Sequence, residues 1–120
     1  DWLYIGVVTE ENVERADALF HALADRTRRD ILRRVLVREL SVSALAAEYD
    51  MSFAAVQKHV AVLERAGLVT KRRVGREQLA SGDVATVRSV AAMLAELEEI
   101  WRGRVARIDA LLAFDPEQED

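Results

Sequence analysis

Apolar residues recur every three or four positions through much of the chain, the spacing that gathers them on one face of a helix. The first such run follows Thr9 and the second follows Asp25, both residue types that cap helix N-termini. Two shorter runs follow Ser41 and Ser52. Because two short helices joined by a brief turn form a helix-turn-helix, we predict that motif over residues 41–67.

The pattern changes after Gly67, where strand-like residues lie on both sides of a Gly75–Arg76 turn and predict a β-hairpin over residues 68–80. Helical spacing returns after Asp83 and continues for about eight turns, which predicts a long helix over residues 83–113. A helix of that length exceeds what a domain this small can cover. We therefore expect part of its apolar face to contact a second copy of the chain.

The composition fits one globular domain over residues 1–120 that ends in an acidic tail at residues 114–120. Of the 120 residues, 51% are hydrophobic and 32% are charged, which allows a packed core and excludes a disordered chain. The apolar runs are much shorter than the about 20 residues that span a bilayer, and no basic segment precedes the apolar start. We expect a cytoplasmic protein with no membrane partner.

Cysteine is absent from the sequence, which excludes disulfides, a thiolate nucleophile and metal sites built from cysteine. His21 and His59 are the two histidines that remain as ligands. Nucleophile–base spacings, glycine-rich phosphate loops and paired carboxylates do not occur in a context that would position them for catalysis. We therefore expect no cofactor, no metal site and no enzymatic activity.

Positive charge is concentrated in the middle of a chain whose net charge is −4. Residues 26–40 and 51–80 are rich in arginine and lysine, whereas residues 1–25 are acidic. This distribution favours a basic face that binds a polyanion. The alternative is a solvated surface of mixed charge, and composition alone supports both interpretations.

The predicted elements follow the order helix, helix, helix-turn-helix, hairpin and long helix. This order is carried by the stretch LFHALADRTRRDIL, by the stretch ELSVSALAAEYDMSFAAVQKHVAVLERAGLVTKRRVGREQL and by the apolar helix near the C-terminal end. Over residues 18–113 the chain resembles the ArsR/SmtB family of bacterial transcriptional repressors. The resemblance implies a mainly α (α+β) winged helix-turn-helix fold with a two-stranded β-hairpin wing and a long C-terminal dimerisation helix. It also implies dimerisation through helices at 9–24 and 83–113, and a homodimer that binds a palindromic double-stranded DNA operator as a repressor.

The chain departs from the family pattern at the positions that sense metals. Thiolate-using members carry Cys-Val-Cys where this chain has Ser41-Val42-Ser43, and serine hydroxyls do not replace soft thiolates. Zinc- and nickel-sensing members carry histidines on the last helix, which has none here. The resemblance therefore implies a member that senses no metal, with either an unidentified small-molecule effector or protein concentration alone as the switch. Arg26 also stands where the family usually has proline, which removes a favoured first-turn residue without changing the fold.

The candidates for DNA binding lie on the second helix of the helix-turn-helix and on the hairpin. With Val56, Val60 and Leu63 buried, the helical wheel turns small and polar residues outward, where glutamine and lysine can contact base edges or phosphates. Arginines on a hairpin can enter the minor groove. The candidates are Ser52, Phe53, Ala54, Ala55, Gln57, Lys58 and His59 on the helix, and Lys71, Arg72, Arg73 and Arg76 on the hairpin.

Some of these positions have a second interpretation. Phe53 can contact a thymine methyl group or pack against the preceding helix. His59 lies beside the buried face, and packing is favoured over base contact. The hairpin cations can serve solubility alone. Arg28 and Arg29 can bind phosphate, or they can pair with or cap the acidic first helix, which we favour.

The dimerisation candidates lie on the apolar faces of the first and last helices. They are Val13, Phe20, Leu94, Leu97, Trp101, Val105, Ile108 and Leu112. The same long helix, together with the apolar segment at residues 2–8, supports an alternative function. In that alternative the protein is a winged-helix interaction module that binds other proteins and has no specific DNA site.

Overall fold

The computed structural model describes residues 9–114, so the apolar segment at 2–8 and residues 115–120 of the acidic tail lie outside the described part. Residues 9–114 form five helices and three strands. In chain order these are α1 (Glu10–Leu23), α2 (Arg26–Val37), β1 (Leu40–Ser41), α3 (Val42–Ala46), α4 (Phe53–Arg65), β2 (Val69–Val74), β3 (Glu77–Gly82) and α5 (Val84–Ala113). The predicted winged helix-turn-helix architecture is confirmed.

Each helix begins at a polar residue that satisfies a backbone N–H of the first turn. The side chains of the five cap residues accept hydrogen bonds from the amide three positions later, at donor–acceptor distances of 3.0–3.2 Å. The caps are Thr9, Asp25, Ser41, Ser52 and Asp83, all of which were predicted from the sequence.

The end of α4 directs the chain into the hairpin. Gly67 has a φ of 84°, a conformation that glycine adopts without the steric cost of a Cβ atom. The amide of Gly67 donates to the Glu64 carbonyl and the amide of Leu68 donates to the Leu63 carbonyl, both at 3.0 Å. This pair of bonds closes the helix and places Leu68 in the core, immediately before β2.

The predicted hairpin is present, and a short third strand joins it. Strands β2 and β3 are antiparallel, with Val74 opposite Glu77 at the Gly75 turn. Strand β1 pairs with the other edge of β3, so that the strand order is β1-β3-β2. The sequence did not predict β1, because two residues are too few to show a strand period.

One apolar core lies between helices α1 to α4 and the sheet. Its largest fully buried side chains come from α1, α2, α3, α4 and the start of β2: Leu19, Ile31, Leu45, Leu63, Leu68, Val56, Val60 and Val69. Helix α5 reaches this core only near its beginning, through Val90 and the partly buried Val87 and Met93. Within residues 9–114, no helix is both long enough and apolar enough to cross a membrane.

The apolar face of α5 beyond Met93 is not covered by the chain itself. Leu97 and Trp101 keep 56% and 57% of their surface exposed, and Leu112 keeps 81%. The other predicted dimerisation residues are half-exposed or partly buried: Val13, Phe20, Leu94, Val105 and Ile108. All eight are accessible in the single chain, as a contact with a second chain requires.

Candidate nucleic-acid interface

Helix α4 presents a polar face to solvent. Val56, Val60 and Leu63 are buried, as predicted, whereas Ala54, Gln57 and Lys58 are exposed. Ser52 caps the helix with its hydroxyl, which accepts from the amide of Ala55 at 3.1 Å. The amides of the first turn that precede Ala55 have no partner within the helix and can donate to an anion.

A cleft of about 240 Å³ separates the start of α4 from the tip of the hairpin. It is lined by Val42, Ser43, Phe53, Gln57, Arg73, Arg76, Glu77 and Gln78, and we call it the α4–wing cleft. Four of the predicted DNA-binding residues therefore lie together: Phe53 and Gln57 on one wall, and Arg73 and Arg76 on the other. Phe53 is 46% exposed, so nearly half of its surface remains open to solvent beside the cleft.

The arginines of the α4–wing cleft retain their positive charge without a carboxylate partner. Among residues 9–114, no acidic oxygen lies within 4.0 Å of Arg73 or Arg76. Arg73 donates from Nε to the carbonyl of Gly75 at 3.3 Å, which orients its guanidinium without neutralising its charge. Glu77 also lines the cleft, so two arginines share it with one carboxylate and the local net charge is positive. Lys58, on the adjacent face of α4, likewise has no ion pair within the described part of the chain. These three charges favour binding of an anion.

Lys71 and Arg72 are placed differently from Arg73 and Arg76. The Lys71 Nζ atom lies 3.2 Å from Oε1 of Glu64 on α4. Arg72, whose side chain is on the opposite face of the strand, forms two bonds of 2.9 and 2.6 Å to the Glu39 carboxylate. The Arg72 bond lowers the pKa of the Glu39 carboxyl below its usual value. The structure thus does not place Lys71 or Arg72 in the cleft, because both satisfy an acidic neighbour.

His59 faces the connection between α1 and α2 and not the α4–wing cleft. Its Nδ1 atom lies 3.4 Å from Nη1 of Arg28 and 3.9 Å from Oδ2 of Asp25. The side chain is 23% exposed. This geometry fits the favoured interpretation of His59 as a packed residue and removes it from the group that lines the cleft.

Arg28 and Arg29 cap the C-terminal end of α1, as we favoured from the sequence. Arg28 donates from Nε to the Ala22 carbonyl at 2.8 Å and from Nη2 to the His21 carbonyl at 2.9 Å. Arg29 donates from Nη1 to the Leu23 carbonyl at 2.8 Å. Asp25, between the two helices, accepts from the Arg28 amide, which lowers the pKa of its carboxyl. We call Asp25, Arg28 and His59 the α1–α2 corner.

A second polar cluster fixes the turn of the helix-turn-helix to α2. The hydroxyl of Tyr49 donates to Oδ2 of Asp30 at 2.6 Å, and Arg34 donates to the same oxygen at 3.0 Å. These bonds hold the pKa of the Asp30 carboxyl below its usual value. Burial and the bond to Asp30 raise the pKa of Tyr49 to about 12. Tyr49 therefore remains a neutral donor at physiological pH and anchors the turn that precedes α4.

Comparisons with known proteins agree with this architecture. A family model described as a helix-turn-helix domain matches residues 23–72. The HTH-type transcriptional regulator Rv2034 of Mycobacterium tuberculosis is 35% identical over 85 residues, which are 71% of this chain and 77% of that protein. The solved structure of an ArsR-like transcriptional regulator from Rhodococcus sp. RHA1 is 31% identical, with a TM-score of 0.74, over 84% of this chain and 95% of that chain. The chain belongs to the ArsR family of transcriptional regulators.

The relatives are transcriptional regulators with a helix-turn-helix DNA-binding domain. One relative is named for the direction in which it regulates. The transcriptional activator HlyU of Vibrio cholerae is 39% identical over 64 residues, which are 53% of this chain and 59% of that protein. Its solved structure has a TM-score of 0.60 over 74% of this chain and 97% of that chain, at 31% identity.

The α4–wing cleft of this ArsR-family protein also contains residues that the sequence did not single out. Val42 and Ser43 come from the first turn of α3, and Gln78 comes from β3. The first helix of a helix-turn-helix crosses the DNA backbone, and this general geometry could have directed attention to α3. Within residues 9–114, no three histidine or acidic side chains are grouped closely enough to share a metal ion.

Neighbouring arginines of β2 provide a matched test of the cleft. We expect Arg73→Gln to weaken DNA binding by about tenfold for each bound copy of the chain, because each copy loses one charge-assisted contact of about 1.5 kcal/mol. Arg72→Gln removes the same charge from the next residue, and we expect a change of less than about twofold because its guanidinium pairs with Glu39. Fluorescence anisotropy on one labelled duplex compares the two variants. Equal losses of DNA affinity in the two variants would show that DNA binding does not depend on a side chain's position in the α4–wing cleft.

Proposed function

We propose that this ArsR-family protein is a homodimeric repressor that binds a palindromic operator through the α4–wing cleft and needs no metal ion. One observation carries the proposal. The cleft combines the exposed start of a helix-turn-helix helix with two arginines that form no ion pair within residues 9–114, against a single lining carboxylate, Glu77. An excess of positive charge beside a helix that fits the major groove suits double-stranded DNA better than a neutral partner.

In the proposed complex, the start of α4 enters the major groove. Gln57 can pair with an adenine edge, and Lys58 can contact a guanine or a phosphate. The Ser52 hydroxyl is occupied as a helix cap, so the amides of Phe53 and Ala54 are the donors left for a phosphate at this position. Arg76, beside the turn at Gly75, is the hairpin cation placed to enter the minor groove.

The proposed dimer uses the exposed apolar faces of α5 and α1. A twofold axis would pair the same surface from each copy, which buries Leu97 and Trp101 and places two α4 helices on one duplex. Dimers of helix-turn-helix proteins bind half-sites about 34–36 Å apart. A palindromic operator is therefore the expected target.

Repression follows from occupancy, because a bound dimer excludes polymerase from an overlapping promoter. In an in vitro transcription assay on its own upstream DNA, we expect the protein to lower transcript yield. A rise in yield would instead assign the activator role that is named for HlyU of Vibrio cholerae. DNA binding through the cleft is common to both outcomes.

The test of the proposal is fluorescence anisotropy on the protein's own upstream DNA and on a scrambled duplex, over a salt series. We expect tight binding to the upstream DNA alone, with an affinity that falls steeply as salt is raised, because several phosphate contacts release counterions. Equally weak binding to both duplexes, with a shallow salt dependence, would contradict it. That result would favour the alternative of a protein-interaction module, which the exposed face of α5 also supports.

Metal independence is tested in the same assay. The chain has no cysteine, and serines occupy the positions at which thiolate-using relatives carry their ligands. We expect zinc, nickel and arsenite to leave the operator affinity unchanged. A large loss of affinity with any one of them would overturn this part of the proposal.

A further inference from the structure

The first turn of helix α2 carries arginines at an end of the helix that does not favour positive charge. This turn contains no acidic residue, although the positive end of a helix dipole favours acids there. The helix contains Arg26, Arg28, Arg29, Arg33 and Arg34. An arrangement that opposes a local rule points to a role for some of these charges outside the helix.

Three of the five arginines have structural partners that account for them. Arg28 and Arg29 cap the carbonyls at the end of α1. Arg34 pairs with Asp30 at 3.0 Å and with Glu48 at 3.5 Å. Arg26 and Arg33 are exposed and make no hydrogen bond or ion pair with the residues of the range 9–114. The charge of Arg33 helps to lower the pKa of the Asp30 carboxyl, but no bonded partner within residues 9–114 fixes either side chain.

Arg26 and Arg33 lie on the same concave surface. A cleft of about 520 Å³, which we call the α2 cleft, is lined by Arg26, Thr27, Arg29, Asp30, Arg33 and Tyr49. Its one carboxylate, Asp30, already accepts bonds from Tyr49 and Arg34. Three guanidinium groups therefore face the cleft against one carboxylate that is already occupied. The chemistry of the α2 cleft suits an oxyanion with several acceptor oxygens.

The α2 cleft lies beside the DNA-binding elements. Tyr49, on its wall, is three residues before Ser52, the cap of α4. The two clefts are at opposite ends of α3, because Val42 and Ser43 line the α4–wing cleft and Tyr49 follows the other end of that helix. Arg26 and Arg33 are seven positions apart on the helix, a rise of about 10.5 Å. That separation is more than one phosphate group can bridge, whereas a DNA strand presents phosphates in series along its length.

We propose that the α2 cleft binds phosphates of the DNA backbone beyond the half-site contacted by α4 and the wing. The inference rests on the proposed function, because it requires that the protein bind DNA. A free phosphorylated molecule has the same chemistry as a backbone phosphate. The length of the arginine row favours the DNA strand, because a single small anion does not span it.

The experiment compares Arg26→Gln/Arg33→Gln with the unchanged protein on its upstream duplex over a salt series. The plot of log affinity against log salt loses about 0.9 in slope for each phosphate contact that is removed. Two arginines in each of two copies are four contacts, so the slope falls by about 3.6, and the affinity at about 0.1 M salt falls by about tenfold or more. Arg29 is kept, because it also caps α1.

A matched variant, Arg88→Gln/Arg107→Gln, removes the same charge from exposed positions of α5 outside the α2 cleft and keeps most of the slope. Circular dichroism melting checks that both variants fold. An unchanged slope in Arg26→Gln/Arg33→Gln overturns the inference, while selective binding by the unchanged protein still supports the proposed function. Inorganic pyrophosphate, titrated by ³¹P NMR without DNA at constant ionic strength, separates the two phosphate sources. The DNA assignment is overturned if the unchanged protein binds pyrophosphate saturably, the Arg26→Gln/Arg33→Gln variant does not, and the salt slope on DNA is the same for both. That combination assigns the α2 cleft to a free phosphorylated ligand.

Discussion

The double substitution Lys58→Glu/Arg76→Glu is expected to lower operator affinity by a factor of about 10³ or more while the fold is retained. Lys58 lies on the exposed face of α4 and Arg76 lines the α4–wing cleft, and neither forms an ion pair within residues 9–114. Each charge-assisted contact contributes about 1.5–3 kcal/mol, and a dimer loses two per copy. Every 1.4 kcal/mol is about a tenfold change in affinity. Reversed charges also repel phosphate.

Anisotropy on the upstream duplex measures this loss, with Arg88→Glu/Arg107→Glu as the control. The control makes the same change in net charge at exposed positions of α5, outside both clefts. We expect the control to retain most of the affinity and both variants to melt near the unchanged protein. Affinity that survives in Lys58→Glu/Arg76→Glu would place DNA binding elsewhere on the molecule. A protein partner that still binds this variant would favour the interaction-module alternative.

The double substitution Leu97→Glu/Trp101→Glu is expected to convert the dimer into a folded monomer. Both side chains are more than half exposed in the single chain, so the core loses little when they change. In a dimer they would bury carboxylates in an apolar interface, and the desolvation cost is several kcal/mol per ion. The dimer dissociation constant should therefore rise by about 10³ or more. Operator affinity should fall with it, because the two half-sites are no longer bound together.

Sedimentation equilibrium measures the change in oligomeric state. Ala95→Glu/Ala106→Glu adds the same two carboxylates to exposed positions on the other side of α5, and we expect it to remain dimeric. An unchanged protein that is monomeric at micromolar concentration would argue against the proposed dimer. A Leu97→Glu/Trp101→Glu variant that remains dimeric would move the interface away from this face of α5.

The sequence predicted those features that depend on residues close together in the chain. A helix cap needs a polar side chain three residues before an amide, and the bonds made by Thr9, Asp25 and Ser52 are of this kind. The buried face of α4 depends on a period of 3.6 residues, so Val56, Val60 and Leu63 could be assigned from spacing alone. The position of Gln57 on the exposed side follows from the same period.

The sequence did not predict features that depend on contacts between distant residues. Arg72 and Arg73 are adjacent and chemically alike, yet Glu39, more than thirty residues earlier, pairs with Arg72 and leaves Arg73 in the cleft. Strand β1 is defined by its pairing with Leu79 and Ala80, which its own two residues do not reveal. Likewise, the α2 cleft needs Tyr49 to be folded back onto α2. Such arrangements are tertiary, and a local pattern carries no information about them.

The α1–α2 corner has a consequence for how a signal would change DNA affinity. Its hydrogen bonds tie the end of α1 to the start of α2, and one contact of 3.4 Å, from Nη1 of Arg28 to Nδ1 of His59, reaches the middle of α4. Because Val56, Val60 and Leu63 of α4 are also buried in the core, tilting α4 within one chain would disrupt both this contact and the packing. Helix α5, by contrast, meets the core only near its beginning, at Val87, Val90 and Met93. Helices α1 to α4 and the sheet of each copy therefore move as one rigid block, and the connection between this block and α5 is the more flexible one. In the proposed dimer, the motion with the smallest energetic cost is a rotation of one block against the other, which changes the distance between the two α4 helices and leaves each cleft intact.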